Sequence, residues 1–174
     1  LVQQVSYQND QEDAFYTKYD YDNLNRLKTT YTSVDECNWN LESKNIFYNH
    51  GAKARIELGK HQIQGLDIAY TVRGEIKALN SSTLNATRDI GGDGARQDVI
   101  GLSSSSAKYN NRTFARDAAG FSLGYFDGDY KSVFGFTNPF DEFEVAIGTG
   151  AAGTQRKNLY NGSITSSVTA IHNK

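Results

Sequence analysis

Period-two alternation of large and polar residues, broken by short turns rich in Gly and Asn, runs through much of this chain. Nowhere do apolar residues recur convincingly at i, i+3, i+4 and i+7, so helix content is expected to be low. In Phe15-Tyr16-Thr17-Lys18-Tyr19-Asp20-Tyr21-Asp22, the residues Phe15, Thr17, Tyr19 and Tyr21 share one face. Tyr16, Lys18, Asp20 and Asp22 share the other, which is the signature of a half-buried strand. Asp22 can bond its own backbone to open a turn, and Asn25 tolerates the left-handed conformation that closes one. Leu27, Thr29 and Tyr31 then alternate again, so residues 15–32 are expected to form a β-hairpin with a bulged turn.

The same logic extends downstream. Ile46-Phe47-Tyr48 reads as a short strand and Asn49-His50-Gly51 as a turn. Ala54, Ile56 and Leu58 alternate with Arg55 and Glu57, and Gly59-Lys60-His61 turns again. Leu66, Ile68, Tyr70 and Val72 alternate with Asp67, Ala69 and Thr71; Arg73-Gly74 turns, and residues 75–80 return. The expectation is a meander of short antiparallel strands. Residues 81–113 hold Asn80-Ser81-Ser82 at their threshold, Gly91-Gly92-Asp93-Gly94 and a run of serines, and read as a long loop or insertion. An aromatic- and Gly-rich stretch from Phe114 to Phe143 follows, then a flexible Gly-rich link at 148–153, a turn at Leu159-Tyr160-Asn161-Gly162 and a last strand over 164–171.

Composition narrows the function classes. With Lys+Arg 18 against Asp+Glu 20, the net charge is -2, so the basic footprint of a phosphate-backbone binder is missing. Tyr 11 and Phe 9 are too many aromatics for a solvated tail. No stretch approaches the ~20 apolar residues of a membrane-spanning helix. One Cys, Cys37, cannot form an internal disulfide, and three His with it leave little material for a transition-metal site. The chain opens at Leu1 and contains no Met, and is expected to be a piece of a longer polypeptide.

The chemistry-bearing patterns each meet a plain alternative. Gly148-Thr149-Gly150-Ala151-Ala152-Gly153 fits G-x-G-x-x-G after Val145-Ala146-Ile147, yet no acid follows Glu144 and Asn158, Asn161 and Gly162 interrupt the helix that a dinucleotide site needs. A flexible loop is the expectation, with no cofactor. Asp127-Gly128-Asp129 with Asp93 or Asp98 offers oxygen ligands of the kind Ca²⁺ takes, but an acidic Gly turn has the same sequence, and no metal is expected. Asp127 with Asp129, or Asp141 with Glu142 and Glu144, would suit paired-carboxylate hydrolysis only within a cleft. Cys37 with His50 or His61 lacks a third, orienting group. The N-x-[ST] sequences at Asn80, Asn85, Asn111 and Asn161 read as loop composition.

Tyr21-Asp22-Asn23-Leu24-Asn25-Arg26-Leu27 resembles the YD repeat, Tyr-Asp-x-x-Gly-Arg-Leu, of the Rhs and teneurin-like shell proteins, with Asn25 at the Gly position. Four further blocks are similar to Rhs-repeat proteins of Bacteroidota-type bacteria. These are residues 48–59, residues 64–74, residues 114–130, and Leu159-Tyr160-Asn161-Gly162-Ser163-Ile164. Ile68 and Glu75 depart from the family, which commonly has an aromatic and a Trp at those places. The resemblance spans most of residues 1–174, as one partial repeat region. It implies an all-β fold in which antiparallel hairpins wind into a spiral β-shell, secreted or on the outer cell surface. The shell would enclose or display another part of the chain, such as a C-terminal polymorphic toxin, with export by type IX secretion. The residues implied to carry the repeat are Tyr19, Tyr21, Asp22, Asn25, Arg26, Leu27, Tyr48, Gly51, Gly65, Tyr70, Gly74, Phe121, Tyr125, Tyr160 and Gly162, none of them catalytic. The partners implied are neighbouring repeats, an enclosed toxin and secretion machinery, with neither nucleic acid nor a membrane span. A surface adhesin or sugar-binding module that stacks Tyr125 and Tyr130 on sugar rings is the alternative.

Overall fold

A computed structural model describes residues 1–7, 13–85, 88–94, 111–126, 128–131, 140 and 158–172. The fold is all-β. Nine strands follow in chain order: β1 (Gln4–Tyr7), β2 (Phe15–Tyr21), β3 (Leu27–Ser33), β4 (Asn40–Phe47), β5 (Lys53–Leu58), β6 (Gln64–Tyr70), β7 (Ile76–Leu79), β8 (Ala119–Gly124) and β9 (Ser166–Ile171). A 3-10 turn spans Asn111–Thr113. The chain forms two compact units, Leu1–Gly65 and Leu66–Lys174.

In the first unit β1 to β5 make an antiparallel meander, each strand paired with its neighbour in sequence. The hairpin expected over residues 15–32 is present, with its bulge between Asp20 and Tyr21. Two strands were not legible as written. β1 is short and fully exposed, and the first half of β4, Asn40-Leu41-Glu42-Ser43-Lys44, is too polar to signal a strand by apolar alternation. Asp20, Thr29, Lys44 and Glu57 line up across four strands. The Thr29 hydroxyl donates to Asp20 (3.1 Å) and Lys44 donates to Glu57 (2.9 Å). Few of the described residues of this unit are buried; Thr29, Ser33, Asn45, Arg55 and Gly65 are.

One turn geometry recurs. After β2, the Asp22 N–H donates to the Arg26 carbonyl and the Asn25 N–H to the Asp22 carbonyl. After β4, Tyr48 bonds Ala52 and Gly51 bonds Tyr48 in the same way; after β6, so do Thr71 with Glu75 and Gly74 with Thr71. The fourth residue of each turn is left-handed: Asn25 (φ 61°), Gly51 (φ 102°) and Gly74 (φ 91°). Each turn is preceded by an aromatic residue, Tyr21, Phe47 or Tyr70, where the ladder slips by one residue. A tight turn closed by a left-handed residue beside a bulge is the geometry that matches the right-handed twist of a hairpin.

In the second unit β6 to β9 pair antiparallel in sequence order. Leu66, Ile68 and Tyr70 do alternate along β6, but Gly65, Asp67 and Ala69 are the buried side, and Val72, in the turn, is 95% exposed. The small side is buried because loops cover it. Ala69, Ala78, Ser122 and Val168 form one cross-strand row. Ala69 and Ala78 form the buried core with Phe140, and Ile90, Tyr130 and Val168 pack on it. Asn80, Ser81 and Ser82, expected as loop, are among the most buried residues. β7 and β9 are two residues shorter than the expected spans, starting at Ile76 and Ser166.

Gly120 shows how close the covering segment comes. A Cβ there would lie 2.3 Å from the Ser81 carbonyl oxygen and 3.2 Å from that of Leu79. Both contacts are backbone atoms of the 79–81 stretch, which cannot swing aside as a side chain would. Gly120→Ala is therefore expected to lower stability by ~1–3 kcal/mol, the usual cost of overpacking, measured by urea unfolding. At the first turn, Asn25→Ala is expected to cost about 1 kcal/mol, because alanine loses the local bonding that lets Asn adopt the left-handed conformation, whereas Asn25→Gly should be neutral or stabilising.

Candidate functional site

The repeat residues named above take up positions at the strand ends and turns. Asp22 organises the first turn: its Oδ1 accepts from the N–H groups of Leu24 and Arg26 (both 2.9 Å), and Oδ2 accepts from Arg26 Nε (2.7 Å). These bonds, the Arg26 N–H foremost, hold the Asp22 carboxyl below the ordinary carboxylate range. The Arg26 guanidinium also lies over the Phe47 ring, 4.1 Å from its centroid. One turn's arginine thus grips the aromatic that opens the next turn. The Tyr21 hydroxyl donates to the Val2 carbonyl (2.7 Å), while Tyr19 faces Thr30 and Tyr21 faces Leu27 across the ladder. Tyr48 stacks on His50 within its own turn.

In the second unit Tyr70 faces Ile76, and Phe121 lies between Leu79 and Thr169. Arg73 donates to the Tyr160 carbonyl and lies 6.0 Å from the Phe126 centroid; Phe126 in turn packs against Tyr160. Gly162 (φ 84°) closes the turn that follows Tyr160. The turn after β8 varies the recurrent geometry. Gly128 (φ 76°) is its left-handed fourth residue, but the Tyr125 N–H donates to the Asp129 carboxylate (Oδ2, 2.9 Å).

Tyr125 is 5% exposed and its hydroxyl donates to the Ile76 carbonyl (2.8 Å), so its ring is not presented to a sugar. Burial, then the nearby charges of Glu75 and Asp129, push that phenol above its ordinary value. Tyr130 is half-buried, meeting the Phe140 ring edge-on at 5.0 Å. Asp129 is buried against Lys77, with Lys77 Nζ 2.6 Å from Oδ1 and both side chains almost fully covered. It therefore does not join Asp93 in the oxygen cluster that the acidic turn suggested. Asp98, Asp127, Asp141, Glu142, Glu144 and the Gly-rich sequence at 148–153 lie outside the described residues. Cys37 is exposed in the β3–β4 connection, where Asp35 holds the loop. The Asp35 carboxylate accepts from the N–H groups of Asn38 (2.7 Å) and Cys37 (2.9 Å). These bonds, led by the Asn38 N–H, lower its carboxyl strongly. Asn80 is 1% exposed and can carry no glycan as folded.

What the sequence did not reveal is a buried acidic cluster. Asp67 is placed by Asn80, which extends the sheet beyond β7. The Asn80 N–H donates to the Asp67 carbonyl (2.7 Å), Asn80 Oδ1 accepts from the Asp67 N–H (2.8 Å), and Nδ2 reaches the Ala119 carbonyl on β8 (3.0 Å). Asp89 curls its own loop, accepting from the N–H groups of Gly92 and Asp93. Carboxylate oxygens of Asp67, Asp89 and Asp93 come within 4.8 Å of one another, all three residues buried. They are the residues among those described that could hold a metal, as hard oxygen donors. Asp117 joins them, and a small recess is lined by Leu84, Asn85, Asp89, Asp93, Arg116 and Asp117. Burial first, then a hydrogen bond to Asp89 and the charges of Asp89, Asp93 and Asp67, push the Asp117 carboxyl up to about 9. A proton on Asp117 shared with Asp89 thus relieves part of the repulsion. The sequence signals were Asp93, considered above as an oxygen donor beside the wrong partners, and an Asp in the middle of the largely apolar strand β6.

No family model matches the chain, and neither does any curated protein or solved structure.

The cluster makes stability depend on pH. The Asp117 pKa is raised on folding from 3.8 to about 9, so the folded state binds the proton more tightly. Its contribution is full below the unfolded value and is lost as pH rises toward the folded one. The melting temperature is expected to fall steadily from pH 5 to pH 9. Asp117→Asn, which keeps a donor toward Asp89 and does not titrate, should flatten that slope; a slope unchanged in the variant would contradict the assignment.

Proposed function

We propose that this chain is a non-catalytic structural segment of a secreted or cell-surface YD-repeat protein. Its work is to build part of a β-shell that encloses or displays another portion of the same polypeptide, with a C-terminal toxin as the favoured cargo. The observation that carries this reading is the recurrent hairpin. Tyr21-Asp22 with Asn25 and Arg26, Phe47-Tyr48 with Gly51, and Tyr70-Thr71 with Gly74 use one pair of backbone bonds, one left-handed position and one aromatic-flanked bulge. A unit copied in this way at intervals of 26 and 23 residues (from Asp22 to Tyr48 to Thr71) is what a sheet that grows by repetition requires.

Two further features support the reading. The arginine of one turn lies over the aromatic of the following turn, at Arg26–Phe47 and Arg73–Phe126. Such contacts couple neighbouring repeats. The first unit also buries little and leaves β1 fully exposed, as expected of a wall element that gains its stability beside sibling strands. Electron microscopy of the parent polypeptide is the decisive experiment. Hollow closed particles with density inside are expected; solid particles, or an extended string of separate domains, would overturn the proposal.

A further inference from the structure

The ion pair between Lys77 and Asp129 has a geometry that the shell reading does not use. Lys77 lies on β7 in an otherwise apolar sequence, Ile76-Lys77-Ala78-Leu79, and is 4% exposed. Its Nζ lies 2.6 Å from Asp129 Oδ1, across 52 residues of chain. Phe140, 2% exposed, closes the pocket, with its ring centroid 5.9 Å from the same Nζ. The other carboxylate oxygen, Oδ2, is held at 2.9 Å by the Tyr125 N–H. A lysine amine, a carboxyl carbon, a backbone donor on the spectator oxygen and an aromatic cover against water thus meet in one place.

We propose that Lys77 and Asp129 are the site of an autocatalytic intramolecular isopeptide bond. The ammonium passes one proton to Oδ1 along their hydrogen bond, giving an amine and a carboxylic acid. The Nζ lone pair attacks Cγ and the Nζ–Cγ bond forms. Charge gathers on Oδ2, where the Tyr125 N–H already points, as in an oxyanion hole. Oδ1 takes a second proton from Nζ and departs as water when the Cγ–Oδ1 bond breaks. The balance is one ammonium and one carboxylate giving one amide and one water. Nothing is oxidised or reduced, and no co-reactant enters. Fixed proximity supplies the rate advantage that the same groups lack when free in solution, and a desolvated lysine is the nucleophile that such a step needs. The product would lock β7 to the turn after β8, a covalent tie that a chain with one cysteine cannot make as a disulfide.

Intact-mass measurement of the denatured full chain tests this directly, followed by tryptic mapping. The expected mass is one water below that of the sequence. The expected map contains a branched peptide in which Lys77 escapes cleavage, so that the peptide beginning at Gly74 is joined to the one spanning Asp117 to Lys131. Lys77→Arg, which keeps the charge and cannot form this amide, should return to its full sequence mass. A native chain at full mass, cleaved normally after Lys77, overturns the proposal. So does a missing water that persists in Lys77→Arg, since that places the loss elsewhere, for instance in a succinimide at Asp127-Gly128. The shell reading is unaffected by either result.

Discussion

The left-handed residue at the fourth position of the turns after β2, β4 and β6 sets the register of the hairpins they close. In a sheet, a slip of one residue sends every side chain to the opposite face. Here the turn decides that register, because its two backbone bonds close only when Asn25, Gly51 or Gly74 adopts positive φ. The bulge beside it then absorbs the odd residue, and the preceding aromatic takes the widened position. Asp22 adds a side-chain clamp to the first turn, and at the third a Thr71–Glu75 side-chain bond plays the corresponding part. Different side chains reach one backbone solution, so what repeats is the geometry more than the letters.

With register fixed, the second unit can afford an unusual division of its faces. The row Ala69, Ala78 and Ser122 has almost no side-chain bulk. Small residues let loop backbone settle directly on the sheet, and Gly120 under Ser81 is the limit of that approach. The larger residues of the same strands, Ile68, Leu79 and Phe121, form the opposite row and are only partly covered. Burial here follows from which face the connecting segments cover, and hydrophobicity alone does not identify it.

This explains what could and could not be read from sequence. The strand class, the hairpin from Phe15 to Thr32 and the turns at Gly51 and Gly74 were legible because period-two spacing and positive-φ residues are local signals. β1 and the start of β4 carry no such signal; they are strands by virtue of their neighbours. The loop composition of Asn80-Ser81-Ser82 was read correctly as irregular backbone, but composition does not say that the backbone is buried. The acidic cluster was hidden for a related reason. Asp67, Asp89, Asp93 and Asp117 come from three separate stretches of chain, and only the folding of the 81–94 and 111–117 segments onto β6 and β8 brings them together. Lys77 and Asp129, 52 residues apart, converge in the same way.

The buried polar contacts of the second unit tie together segments that are distant in sequence. Removing an ion pair from water costs about as much as the attraction returns. Apolar surfaces tolerate many alignments, however, whereas a buried polar group tolerates very few. Asn80 satisfies Asp67 and Ala119 only when β6, β7 and β8 hold their observed register, and Lys77 meets Asp129 only when the turn after β8 folds back onto β7. Local turn geometry fixes the register within the hairpins that close at Asn25, Gly51 and Gly74. These buried contacts fix it between elements distant in sequence, where no turn can act: β7 and β8, which no short hairpin joins, depend on them.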